Sequence, residues 1–210
     1  MTWYDAFSNI YDSSLERLYS EHRLLAARAL QLAPGACVLD VPCGTGQSFG
    51  ALSRPIGLQG QLIGVDSSTG MLRKAAARAQ SDRFANVRVL HGDAATLERS
   101  ALDAAAGRVA RISHLHVFLG MSVFDDMAAT FERLWSLLEP GGRCVLVDVY
   151  AERLGLQGLL VNQIASADIR RRFWEPLERV AYDFVRRDLP FRSQHGGQIM
   201  LASGVKPSNA

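Results

Sequence analysis

The sequence predicts an α/β fold with a doubly wound, mostly parallel sheet. Three observations carry the prediction. Short apolar runs alternate with helical patterns five times between residues 37 and 150. The runs themselves are not alternately polar and apolar, as befits strands buried on both faces. The first run, in VLDVPCGTGQS (38–48), ends in an acid and turns on two glycines.

The elements follow in order. The first 33 residues read as helical. Trp3, Tyr4, Phe7 and Tyr11 recur at spacings of three and four, which puts them on one helix face, as core packing or as an aromatic lid. SEHRLLAARALQLAPG offers Ser20 as a cap, leucines among alanines, and a Pro-Gly stop. CVLDV is the first strand, QSFGALSRPI a helix from the glycine turn, and QLIGVD the second strand. SSTGMLRKAAARAQ is a helix capped by Ser67 or Ser68. NVRVLHGD is the third strand, a helical or loop stretch runs to about residue 107, and RVARISHLHVFLG holds the fourth strand. DDMAATFERLWSLLEPGG is an amphipathic helix with Met127, Phe131, Leu134, Trp135 and Leu138 on one face, stopped by Pro140, Gly141 and Gly142. RCVLVDVY is the fifth strand. Residues 151–175 read as a helical insertion. AYDFVRRDL and QIMLASG are two last strands joined through PFRSQHGG, a hairpin-like link, making seven in all.

The chain is expected to form a single domain: 1–33 an N-terminal helical lid, 34–150 a ligand-binding core, 151–176 a helical acceptor-site insertion and 177–210 a strand pair. Its 210 residues suffice for a full core. With 23 basic and 21 acidic residues the net charge is +2, too balanced for a nucleic-acid partner. Arg170, Arg171 and Arg172 are the local exception, either a solvated helix face or a site for an anionic substrate or a membrane surface. No apolar run approaches the roughly 20 residues of a membrane span. The N-terminus lacks the basic and apolar regions of a signal peptide, so a cytoplasmic location is expected. Cys37, Cys43 and Cys144 are odd in number and form no CxxC pair, so neither a disulfide framework nor a metal site is suggested.

In a doubly wound sheet, ligands bind beyond the carboxyl ends of the strands where strand order reverses. Gly44 and Gly46 let the backbone approach a ligand there. A dinucleotide fingerprint would want G-x-G-x-x-G, and the third glycine, Gly50, comes one residue late. Asp40 just before the turn would repel a pyrophosphate and suits a cation.

Asp40-Val41-Pro42-Cys43-Gly44-Thr45-Gly46 resembles motif I of the class I S-adenosylmethionine-dependent methyltransferases, of the methyltransferase type 11/25 kind. Gly64-Val65-Asp66-Ser67-Ser68-Thr69-Gly70-Met71-Leu72 resembles the second motif, His91-Gly92-Asp93-Ala94 the third, and Leu138-Glu139-Pro140-Gly141-Gly142 is typical before a strand. Asp66 lies 26 positions after Asp40 (66 − 40). The resemblance covers most of the chain. It implies a Rossmann-like, seven-stranded sheet with its last strand antiparallel, and S-adenosyl-L-methionine as cofactor. It also implies that Asp40, directly or through water, and the turn at Pro42, Gly44, Thr45 and Gly46 hold the amino-acid end. Asp66, followed by Ser67, would bind the ribose, Met71 would lie on the adenine face, and Gly92, Asp93 and Ala94 would meet the adenine amino group. Pro42 departs from the family, which usually has glycine there.

By the same resemblance the activity is methyl transfer to a small-molecule acceptor. The opening YDAFSNIYD is similar to the quinone-ring C-methyltransferases and to bacterial phospholipid N-methyltransferases, whose aromatic N-terminal helix closes over the cofactor. A lipid-like, quinone-like or amine acceptor follows, with peripheral contact to a membrane or lipid left open. A base is needed only for a hydroxyl or acidic carbon. The candidates are His114 and His116, two apart on the fourth strand and so on one side, and Tyr11 in the lid. His195, His22 and Asp148 are weaker candidates. Leu154, Leu156, Leu159, Leu160 and Ile164 offer an apolar acceptor pocket, and GRVARIS stands where the family has an acid before the fourth strand. Two other classes compete: an NAD(P)-dependent oxidoreductase, and a non-catalytic S-adenosylmethionine-binding protein.

Overall fold

In the computed structural model, residues 19–152, 167–190 and 197–208 are described. Their centre is a seven-stranded sheet of order β3-β2-β1-β4-β5-β7-β6. The strands are β1 (Cys37–Asp40), β2 (Gln61–Asp66), β3 (Val87–His91), β4 (Ile112–Phe118), β5 (Leu138–Tyr150), β6 (Tyr182–Asp188) and β7 (Gln198–Val205). β1 to β5 pair in parallel, while β7 runs antiparallel to both β5 and β6. The helices are α1 (19–30), α2 (Phe49–Ile56), α3 (Thr69–Ser81), α4 (Arg99–Ala106), α5 (Met127–Leu137) and α6 (Glu175–Val180). The doubly wound sheet with one antiparallel strand matches the expectation.

Every residue of β1 and β2 is buried, which explains why CVLD and QLIGVD are mostly apolar and why their polar side chains, Asp40, Gln61 and Asp66, all have hydrogen-bond partners. One core cluster on one face of the sheet joins Leu39, Ile63, Leu115 and Leu146 to Phe131, Leu134 and Phe173. The opposite face carries Val38, Leu62, Val145 and Val147 against Ala26, Leu30, Phe49 and Leu52. Phe49 pins α2 to the sheet because Gly46 and Gly64 leave it room. A Cβ at Gly64 would stand 2.8 Å from the ring's Cζ, and one at Gly46 2.6 Å from Cε2.

Helix ends follow their capping chemistry. Ser68, not Ser67, caps α3, its Oγ accepting from the Met71 N–H at 3.2 Å. Asp126 caps α5 by accepting from Ala129 N–H at 3.0 Å, where a carboxylate also meets the positive end of the helix. Two expected boundaries shift. Ser20 lies inside the helix rather than at its start. α5 stops at Leu137, and Leu138 already belongs to β5. Gly141 and Gly142 therefore do not end the helix; they extend the strand by exchanging backbone hydrogen bonds with Lys206. Lys206 Nζ in turn donates to the carbonyls of Trp135 at 2.8 Å and Leu138 at 2.7 Å, closing the end of α5.

All three cysteines are free and buried. No helix among the described residues is long and apolar enough to cross a membrane. The lid aromatics Trp3, Tyr4, Phe7 and Tyr11, the leucines of 154–160, Ile164 and His195 lie outside the described residues.

Candidate active site

A cleft of about 540 Å³ opens at the carboxyl edge of the sheet, above β1, β2, β4 and β5. That is where strand order reverses, because the chain leaves β1 to β2 on one side and reaches β4 on the other. The size lies within the roughly 300–1,000 Å³ usual for small-molecule sites.

The glycine turn forms one wall. Cys43 N–H donates to Val65 O at 2.8 Å, and Gly44 N–H to Asp66 Oδ2 at 2.9 Å. Gly44 has φ +54° with nothing within 4 Å of where a Cβ would be, so the backbone is open to the cleft. Asp66 also accepts from Ser68 N–H on Oδ1 at 2.8 Å. It is thus held rigidly by two backbone donors at the end of β2. Burial raises its pKa, and the two N–H bonds oppose that rise.

Of the residues expected to bind a cofactor, Pro42, Gly44, Thr45, Asp66, Ser67 and Met71 line the cleft. Gly92, Asp93 and Ala94 line it too. Asp93 is exposed, and its Oδ1 accepts from Ala95 N–H at 2.9 Å, so it also shapes its own turn. Gly46 sits behind the wall against Phe49. Val41–Pro42 is a cis peptide.

Asp40 does not open onto the cleft. It is 1% exposed, and His116 Nδ1 lies 2.7 Å from its Oδ1. This corrects two expectations at once. Of the two ways expected for Asp40, burial goes against direct contact with a ligand and leaves contact through water, and His116, fully buried, is not placed as a base at the acceptor. His114 is also misplaced for that task. It lines a separate cavity of about 480 Å³ with Arg143, Glu139 and Tyr182, near the amino end of β4. Burial, helped by Arg143, lowers the His114 pKa to about 4. His22, on α1, is buried with its Nε2 against Pro190 O. Among the described residues no histidine lines the cleft.

Asp148 does reach it, from the end of β5. It accepts from Ser122 N–H at 2.8 Å, Ser122 Oγ at 2.9 Å and Val149 N–H at 2.8 Å. Full burial pushes its pKa up to about 6 despite those bonds. Its work is to fasten the turn after β4, and that turn carries the apolar far wall of Leu119, Val123 and Phe124. Ser122 O takes Asp168 N–H at 2.9 Å, which ties the segment holding Ile169 to the same wall.

Residues 170–172 turn away from the cleft. Arg170 is exposed beside Asp168 at 3.1 Å, Arg171 donates to Phe124 O at 2.5 Å, and Arg172 reaches Glu175 at 3.4 Å. Among the described residues the cation that lines the cleft is Arg23, for which the sequence reading holds no expectation. Its guanidinium donates to Gln47 Oε1 and lies 5.1 Å from the centre of the Phe118 ring. Tyr19, His22, Arg23, Ala26, Ala27 and Leu30 form the buried stripe of α1. A charge inside that i, i+4, i+7 stripe was the available signal. Against Arg23 stand the carboxylates of Asp66, Asp93, Asp125, Asp126 and Asp148. The cleft is therefore negative in a chain of net charge +2, and it suits a ligand with a cationic part.

A family model described as a methyltransferase domain matches residues 38–142. A 2-phytyl-1,4-naphtoquinone methyltransferase of Thermosynechococcus vestitus is 28% identical over 145 residues, covering 69% of this chain and 59% of that protein. A demethylmenaquinone methyltransferase of Lactococcus lactis is 28% identical over 151 residues, covering 69% and 56%. The chain thus spans less than two thirds of the length of these curated relatives. Phosphoethanolamine N-methyltransferase 2 of Haemonchus contortus, solved with S-adenosyl-L-methionine, superposes with a TM-score of 0.75 at 14% identity, over 99% of this chain and 60% of that one. At that identity the likeness is one of fold.

Proposed function

The chain belongs to the methyltransferase-domain family, and from that premise we propose that it moves a methyl group from S-adenosylmethionine to a small, largely apolar acceptor. The observation that carries the reading is the tie between Asp66 and the glycine turn, at 2.9 Å, beside an open cleft at the point where strand order reverses. A carboxylate fixed by two backbone donors keeps lone pairs for two vicinal hydroxyls. It would hold the cofactor's ribose. Ser67, Met71, Gly92 and Ala94 would flank the adenine, with Asp93 at its amino group. The backbone at Pro42, Gly44 and Thr45 would seat the amino-acid end, and Arg23 would take its carboxylate. Bound there, S-adenosylmethionine supplies an electrophilic methyl group on a sulfonium.

The chain's own contribution is placement and the exclusion of water. Leu119, Val123, Phe124 and Ile169 offer an apolar wall for the acceptor's body. Holding acceptor and methyl in line inside such a wall accounts for much of the acceleration in a displacement of this kind. An acceptor that arrives with a free lone pair, such as an amine, needs no base. For a hydroxyl or a ring carbon, Tyr11 is the base we propose, since the histidines of β4 are engaged elsewhere. The relatives' names carry quinones, and the apolar wall supports a quinone-like or lipid-like acceptor as well as an amine. A balanced net charge supports a small-molecule partner over nucleic acid, and we place the protein in the cytoplasm.

Calorimetry with S-adenosylmethionine and with NAD tests the cofactor. Micromolar binding of S-adenosylmethionine alone is expected, followed by S-adenosylhomocysteine release in a screen of quinols, phospholipid headgroup amines and phenols. Binding of NAD alone would overturn the reading in favour of an oxidoreductase. Tight cofactor binding with no release on any acceptor class would favour a non-catalytic protein.

A further inference from the structure

We propose that His116 is a positioning residue for the cofactor's amino-acid end, acting through Asp40; the inference rests on the S-adenosylmethionine reading above. β1 and β4 pair in register at Asp40 and His116. His116 holds its partner strand twice. Its Nδ1 lies 2.7 Å from Asp40 Oδ1, and its carbonyl accepts from Val41 N–H at 3.0 Å. The imidazole must carry its proton on Nδ1 for the carboxylate to accept, which fixes the tautomer. Val41 and Pro42, the next residues, line the cleft. So does Phe118, whose ring stacks on His116 at 5.9 Å and 21°. The Asp40–His116 pair therefore stands directly behind the wall against which the amino-acid end would lie.

Asp40 Oδ2 and His116 Nε2 are buried without a hydrogen-bond partner among the described residues. A carboxylate tied at one oxygen and bare at the other is costly in a low-dielectric interior. An ammonium placed in the cleft beyond Val41 and Pro42 offsets that cost, because charges attract across such a medium more strongly than through water. His116 is what keeps the carboxylate turned to one orientation, so the negative potential stays fixed behind Pro42. A packing role alone would hold β1 to β4 but would not care which ligand occupies the cleft.

Two ligands separate these roles. S-adenosylhomocysteine carries the ammonium and no sulfonium; 5′-methylthioadenosine keeps adenine, ribose and sulfur but lacks the amino-acid end. Binding of both is measured by calorimetry on the wild type, His116→Leu, His116→Asn and Asp40→Asn, with thermal unfolding of each. For His116→Leu, S-adenosylhomocysteine should weaken about tenfold or more, the usual worth of a charge-assisted hydrogen bond, with 5′-methylthioadenosine unchanged. His116→Asn keeps an amide N–H near the Nδ1 position and should retain most of the affinity. The double variant His116→Leu with Asp40→Asn should bind no more weakly than Asp40→Asn alone. Equal loss for both ligands, or loss for neither, overturns the proposal. If His116→Leu does not fold, the comparison falls to Asp40→Asn, which must lose S-adenosylhomocysteine selectively while His116→Asn does not; an unchanged Asp40→Asn overturns it. A wild type that binds neither ligand overturns the cofactor reading itself, a result distinct from equal loss in the variants.

Discussion

The Gly44 N–H donates to Oδ2 of Asp66 at 2.9 Å, so the acid that ends β2 and the turn that follows β1 form one rigid unit. On the role proposed for Asp66, ligand affinity and local stability should be coupled through that bond. Asp66→Ala leaves the donors of Gly44 and Ser68 without their acceptor. We expect a loss of about 1–3 kcal/mol in unfolding free energy, read by denaturant titration. S-adenosylmethionine affinity should fall roughly 10- to 100-fold in calorimetry, the worth of a hydrogen-bonded charged group.

The two glycines of the turn should respond differently to alanine. Gly46 has φ +76°, and its Cβ would stand 2.6 Å from Phe49 Cε2. Backbone strain and overpacking together should cost more than about 2 kcal/mol of stability. Gly44 faces open space, so Gly44→Ala should cost only about 1 kcal/mol, from its positive φ. Its added methyl enters the cleft, and cofactor affinity should drop more than stability does. The reverse ranking of the two stabilities would contradict the packing described around Phe49.

Arg23 is assigned the cofactor's carboxylate. Wild-type protein should prefer S-adenosylmethionine over its decarboxylated analogue by about tenfold or more, and Arg23→Met should erase that preference. An equal drop for both ligands would instead mark Arg23 as a support for Phe118 and Gln47.

At the opposite edge of the sheet, His114 gives a pH signature. Its pKa is lowered from 6.5 to about 4 by burial and by Arg143. The folded chain prefers the neutral ring, so the unfolded chain takes up the proton first as pH falls. The stability this supplies is complete above about 6.5 and is lost on the way down to 4. Between pH 7 and pH 4 the wild type should lose up to roughly 3 kcal/mol relative to His114→Gln. Parallel pH profiles for the two proteins would refute the shift.

Much of this was legible in the chain. The apolar strands and the order of helices followed from burial periodicity, and Asp66 as a site residue from the resemblance of its motif to the family's second motif. What escaped was height along a strand and partnership across strands. A two-residue spacing does put His114 and His116 on one face, but His114 stands four residues before the end of β4, about 13 Å short of the carboxyl edge. His116 met Asp40 because of the β1–β4 register, which no local pattern in either strand encodes. Arg23 was hidden by its helix, whose sequence reads as an ordinary alanine-rich stripe with one charge in it. Leu138 continued the apolar period of α5, yet the backbone bonds of Gly141 and Gly142 with Lys206 drew it into β5.

Cys43 places a sulfur nucleophile inside a cleft assigned to a reactive methyl donor. A thiolate there would make the protein its own substrate. Burial, reinforced by the negative charges of Asp40 and Asp66, keeps the Cys43 pKa well above its usual value. The same carboxylates proposed to serve the cofactor thus add to burial in keeping the nearby thiol protonated and inert toward it. Intact-mass measurement after prolonged incubation with S-adenosylmethionine should find Cys43 unmethylated, and a gain of one methyl group there would show that this self-protection fails.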